Sequence, residues 1–172
     1  MFLIRKITRA KWGLKQGLSG KEIPADAVTA DLRTKENSLS FWKCKSDSRE
    51  NIEEAALAIV AAGNSVERLD LVCIANDKLQ EDGQTWKDTD GRTPVEDLVK
   101  QHVDVYRLDY VRLGKIASRI ATAIKADGYI YLTKKSLTKL LVAAVKQKRI
   151  DLDQLEEKVK VEVQKLLEKE PS

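Results

Sequence analysis

One histidine and one isolated carboxylate carry most of the chemistry this sequence could do. His102 is the chain's only histidine. Asp109 is one of two acids between Val105 and Ile150, a stretch that holds eleven basic residues. Tyr106 lies between them. Imidazole, phenol and carboxylate are the groups of an acid–base or ligand pocket. On a helical wheel of ~100° per residue, His102 and Asp109 fall on the side that carries Leu98, Val105, Leu113, Ile116, Ile120 and Ile124. Arg107, Arg112, Lys115, Arg119 and Lys125 take another arc. Both polar groups then point where a core should be. They stack on one stripe but stand about 10 Å apart along the axis, too far for a direct bond, and Tyr106 could bridge them. A buried carboxylate without donors costs several kcal/mol or stays protonated. The competing reading is a pair of satisfied polar residues under a helix interface, facing a strand or a neighbouring subunit. One helix supplies no nucleophile, and a lone histidine is a poor start for a metal.

A second candidate is a nucleic-acid surface. Lys134, Lys135, Lys139, Lys146, Lys148 and Arg149 cluster late, and Tyr129 and Tyr131 precede them. Aromatics with basic neighbours can stack bases and neutralise phosphates. Charge along the chain is sorted into blocks. Met1 to Lys21 has six basic residues and no acid, and Val105 to Ile150 has a balance of +9, against +4 for the whole chain. The stretches between and after are net acidic. Such a field steers a charged partner or holds two parts of a protein together. No helix-turn-helix, RRM or zinc-finger pattern is present, and the alternative is that these lysines solvate a helix face and offset an acidic C-terminal helix.

Other constellations fail on spacing. Trp86-Lys87-Asp88-Thr89-Asp90-Gly91 resembles a calcium loop only until its ligands are counted. Trp86 stands at the first ligand position and Asp97, not glutamate, at the twelfth. An Asp-Gly turn before a capped helix explains it. Gly13, Gly17, Gly20 and Lys21 lack the spacing of a phosphate-cradling loop. Cys44 and Cys73 sit in apolar runs without a C-x-x-C partner and read as small core residues in a reducing compartment. No metal and no cofactor is expected.

The elements that must position these groups follow from periodicity. Residues 2–12 read as a strand, 13–24 as loop, 25–34 as a short helix or a strand, and Leu39–Cys44 as a strand. Ser48 caps a helix that ends at Gly63, and Val66–Ala75 reads as a central strand. Asn76–Arg92 reads as a long loop. Thr93, Pro94 and Glu96 form a helix start, followed to Ala126 by one helix of about thirty residues or two broken near Gly114. Tyr129–Leu132 is a short strand, Ser136 caps a helix to about Lys148, and Asp151 or Asp153 caps a last one to Glu168.

Three prolines, eight glycines, 42% hydrophobic and only 5% aromatic residues favour long regular elements around an aliphatic core. The expected fold is α+β: a small mixed sheet of about three to five strands in the N-terminal half, with a helix packed on it, then a helix-rich C-terminal half. Residues 1–92 would form the α/β core region and 93–172 a helical region packed on it. No stretch is long and apolar enough for a membrane span. The expected function is a cytosolic, bacterial-type binding or protein-interaction protein without catalytic activity, its partner another protein or a second copy of the chain. A nucleic-acid binder using residues 105–150 is the first alternative. An enzyme with a pocket around His102 and Asp109 is the second.

Overall fold

The structure, a computed structural model, describes residues 1–13, 22–126 and 128–169. In chain order the elements are β1 (Phe2–Ile7), α1 (Ala25–Asp31), β2 (Leu39–Cys44), α2 (Arg49–Ala61), β3 (Leu69–Ala75), α3 (Asn76–Glu81), β4 (Thr85–Asp88), β5 (His102–Tyr106), α4 (Tyr110–Lys125), β6 (Tyr129–Leu132), α5 (Lys134–Lys146) and α6 (Glu157–Leu167). Short 3-10 turns lie at Arg9–Trp12, Glu96–Gln101 and Leu152–Gln154.

The class is α+β, as the sequence implies, but the sheet is larger than expected. It has six strands in the order β4-β5-β2-β1-β3-β6. It is antiparallel at every pairing rather than mixed. The reason lies in β1. α2 carries the chain from β2 to β3, which alone would suggest a parallel pair. β1 lies between those two strands and pairs antiparallel with each. The sheet also takes β5 and β6 from the second half of the chain.

Strand alternation gives each sheet face its own core. On one face Ile4, Trp42, Leu69, Leu71 and Leu132 pack with Ala56 of α2, Leu137 and Leu141 of α5, and Val159 and Val163 of α6. On the other, Leu3, Phe41, Val72, Val103 and Val105 pack with Ala27 of α1, Leu79 of α3, and Ile116 and Ile120 of α4. Each fully buried aliphatic side chain contributes roughly 1.5–3 kcal/mol of transfer free energy. The alanine-rich run of α2 lets that helix lie close against the sheet.

Several local expectations hold. Ser48 caps α2, its side chain accepting from the Asn51 amide, and Tyr129–Leu132 is a strand. Others change. The segment 76–92 is not a long loop but contains α3 and β4. Thr133, not Ser136, caps α5. Asp151 caps a 3-10 turn in a reciprocal box with Gln154.

The largest correction concerns 93–126. Thr93, Pro94 and Glu96 start only the 3-10 turn Glu96–Gln101, and His102 then turns extended. The run His-Val-Asp-Val-Tyr has β-branched residues at alternate positions, which suits a pleated strand. β5 is flanked on both sides, by β2 and by β4, so Val103, Asp104 and Val105 each have a strand neighbour on either side. Arg107, at φ 57°, breaks the strand, and Asp109 opens α4. α4 runs unbroken through Gly114.

Candidate ligand-binding groove

β5 alternates, so His102, Asp104 and Tyr106 share the face opposite Val103 and Val105. Register places Trp42 beside His102, and Ser40 and Lys87 on either side of Asp104. α2 lies against β2 and the 3-10 turn Glu96–Gln101, and its C-terminal end borders this corner. Ser40 and Lys87 are exposed. The result is a groove of about 680 Å³, within the usual range of ligand sites. The turn before β2 supplies Arg33, Lys35 and Ser38 to its walls. The end of α2 supplies Ile59 and Ala62, and the chain after β4 supplies Thr89 and Arg92.

The floor is held tightly. Thr89 Oγ1 lies 2.7 Å from His102 Nδ1, and the Thr89 amide donates to the His102 carbonyl at 3.2 Å. The Trp42 and His102 rings meet edge to face with centroids 5.2 Å apart. Gly91 passes directly against the indole: a Cβ there would stand 2.5 Å from Trp42 Cη2. The Ser40 hydroxyl donates to Asp104 Oδ1 at 3.0 Å. Behind the groove, Arg5 donates to the Ser40 carbonyl at 2.6 Å and to the Asp31 carbonyl at 3.1 Å. Burial pulls its guanidinium down to about 10, while Asp31 works the other way.

His102 is half-buried. That burial lowers its pKa from the ordinary histidine value, against the opposing pull of Asp104. The imidazole is therefore neutral near pH 7 and offers one donor and one acceptor. Thr89 and His102 make a hydroxyl–imidazole pair, the start of a nucleophile and its base. A working triad also needs a carboxylate on the second ring nitrogen and donors for an oxyanion. Among the described residues, no carboxylate bonds that nitrogen, and Asp104 is turned to Ser40.

The charges around the groove are unequal in their freedom. Asp90 pairs with Lys100 at 2.6 Å. Among the described residues, the side chains of Arg33, Lys35 and Arg92 carry no hydrogen bond or ion pair, and all three residues are exposed. At the open end, Lys87 and Arg107 lie over the Tyr106 ring, 5.8 and 5.4 Å from its centroid.

The residues singled out from sequence divide accordingly. His102 and Tyr106 share one face of β5. Asp109 lies apart from it: exposed, it caps α4 by accepting from the Arg112 amide at 2.8 Å. Its expected place facing inward depended on a helix that is a strand at 102–106. The carboxylate beside His102 is Asp104, which the wheel did not single out. Strand period alone, two residues on from His102, would have found it.

The late basic patch is also divided. Tyr129 packs on the α4 side of the sheet, its hydroxyl donating to Asp70 Oδ1 at 2.6 Å, with Arg9 over the ring. Burial, together with Asp70, pushes this phenol up to about 12. Tyr131 shares that side by alternation and is half exposed. Lys134, Lys135 and Lys139 ride on α5, which packs on the opposite side, and Lys134 pairs with Glu162 at 2.6 Å. The strand and helix therefore do not present tyrosines and lysines to one ligand face. The apolar stripe that suggested a second copy of the chain is buried internally, with Ile116 and Ile120 fully covered.

Among the other motifs, Asp88 pairs with Lys43, so both carboxylates of the Trp86–Gly91 segment are engaged by lysines. Gly17, Gly20 and Lys21 lie outside the described residues. Cys44 is buried, Cys73 partly so, and both are free thiols. No helix among the described residues is long and apolar enough to cross a membrane. Searches among protein families, curated proteins and solved structures find no match to this chain.

Proposed function

We propose that this is a non-catalytic binding protein whose ligand surface is the groove over β2, β5 and the end of β4, and that its ligand is anionic. The observation that carries the reading is the set of unpaired cations, Arg33, Lys35 and Arg92, around a recessed floor of Trp42, His102 and hydroxyl groups. Three cations whose side chains pair with no acid give the groove a positive rim that attracts an anion. The two free thiols suit a reducing cytosol. The enzyme reading has one observation in its favour, the Thr89–His102 pair, but among the described residues no carboxylate bonds the second ring nitrogen, and Asp104 turns to Ser40.

Titration of tripolyphosphate into 15N-labelled protein tests the proposal. Amide resonances of residues 33–40, 89–92 and 102–106 should shift together and saturate. Shifts confined to α5, or none at millimolar anion, would overturn it.

A further inference from the structure

Resting on that reading, we infer that the groove's ligand is a single strand of nucleic acid, its phosphates held by Arg33, Lys35 and Arg92 and its bases turned toward the half-buried His102 and the edge of Trp42. Three features favour a polymer of phosphates over a single small anion. First, the cations are spread along the groove rather than gathered at one point. Arg33 and Lys35 precede β2 at the Tyr106 end, whereas Arg92 follows Thr89 at the Trp42–His102 end. The rows between Ser38 and Trp42 span four residues, roughly 13 Å at ~3.3 Å per residue. Second, Lys87 and Arg107 continue the positive track past the open end. Third, the floor combines rings with hydrogen-bonding side chains: a neutral imidazole, the Thr89 hydroxyl and the Asp104 carboxylate. Unpaired bases offer both flat faces and polar edges to such a surface.

A duplex does not suit the same site. The floor is recessed beside the end of α2, and bases reach a recessed sheet only when they are splayed out of a helix. The rest of the basic block of residues 105–150 is the weaker candidate because several of its charges are engaged within the fold. Arg119 pairs with Asp82, Lys134 with Glu162, and Arg149 with both Glu54 and Asp97.

The test is fluorescence anisotropy of a labelled ten-nucleotide oligo(dT) and its oligo(rU) counterpart, between 50 and 200 mM salt. The two arms tell DNA from RNA. Three phosphate contacts predict a slope of about −2 in log K against log[salt], from about −0.7 per contact on single strands. Arg92→Ala should shallow the slope by about 0.7, and Arg92→Lys should restore it. Arg33→Glu with Arg92→Glu should abolish binding, whereas Lys135→Glu with Lys139→Glu should leave it unchanged. Both arginines are exposed in connecting segments, and a matching thermal unfolding curve checks the fold. If the double charge reversal unfolds the chain, the Arg92→Ala and Arg92→Lys slopes decide. A flat salt response overturns the inference, as does loss of binding on the α5 lysine reversals alone. So does oligonucleotide affinity no greater than that of tripolyphosphate, an outcome that leaves the anion-binding groove standing. Failure of both probes removes both readings.

Discussion

Gly91→Ala and Gly114→Ala are one chemical change with opposite expected signs. At Gly91 the added methyl would stand 2.5 Å from Trp42 Cη2 and 3.0 Å from both Trp42 Cζ3 and His102 Cβ. Carbon atoms in favourable contact sit about 3.5–4.0 Å apart, so the indole must retreat by about 1 Å. It has little room: Trp42 is only 8% exposed and packs against His102. Overpacking of this kind costs about 1–3 kcal/mol. Losing glycine's freedom in the unfolded chain returns about 0.4–1 kcal/mol. The balance is a destabilisation of about 1–2 kcal/mol. At Gly114, inside α4, an added methyl meets nothing within 4 Å. There the change should stabilise by about 0.5–1 kcal/mol, the helix preference for alanine. Urea unfolding followed by tryptophan fluorescence measures both. Trp42→Phe in the Gly91→Ala background should recover part of the loss, because the smaller ring vacates the contested space, and a double-mutant cycle isolates that term. A neutral or stabilising Gly91→Ala would refute the packing of this floor.

Two further predictions concern the groups first singled out by sequence. The folded pKa of His102 lies below its ordinary value of about 6.5. The fold therefore prefers neutral imidazole, and that share of stability is present above about pH 6.5 and lost as pH falls through the folded pKa. His102→Gln should flatten the decline in unfolding free energy between pH 7 and 5, and the chain's single imidazole NMR titration should have its midpoint under 6.5; a midpoint above that value contradicts the assignment. Asp109→Ala removes the cap of α4 and should cost about 1 kcal/mol, yet tripolyphosphate should shift the same groove resonances as in the parent. Altered groove shifts would put Asp109 back in the site.

What sequence could and could not reveal has a common cause. Ser48, the acids after it and the alanine run specify α2 locally, and the structure keeps that helix. The signature Thr93-Pro94-x-Glu96 is equally local, but a stronger nonlocal demand overrides it from His102 onward. Residues 102–106 gain partners from both β2 and β4, and no helix wheel contains that information. The alternation of Val103 and Val105 is legible in the sequence, but a helical wheel over the longer window takes only Val105 into its apolar side. Asp31 shows the limit more sharply. Its buried carboxylate accepts from the Thr8 amide at 2.7 Å, the Thr8 hydroxyl at 2.9 Å and the Trp12 indole at 2.7 Å. Nothing around residue 31 announces donors from residues 8 and 12. Arg33, Lys35 and Arg92 are likewise ordinary surface charges in sequence, and become a set only when β5 draws the chain after β4 alongside β2.

The same folding step explains the sorted charge. Arg149 lies 95 residues from Glu54 in sequence and bonds it at 2.5 Å, with Asp97 at 2.6 Å on the same nitrogen. Glu54, aided by Asp97, raises the arginine's pKa still higher against the opposing effect of burial. Arg119 reaches back to Asp82 in the same way, at 2.6 Å. Blocks of one sign are thus folded against blocks of the other. Exposed pairs of this kind are worth only about 0–1 kcal/mol each, so their main consequence is not stability but cancellation of the field where they form. At the groove the cancellation stops. Asp90 is taken up by Lys100, while Glu36 and Asp104, the latter hydrogen-bonded to Ser40, pair with no cation among the described residues and share the groove wall with Arg33, Lys35 and Arg92. Part of the strongly basic block is thus withdrawn from an external anion, because its basic residues that find acids within the chain are already paired. Arg33, Lys35 and Arg92, whose side chains pair with no acid among the described residues, come from a segment that is net acidic when read as sequence.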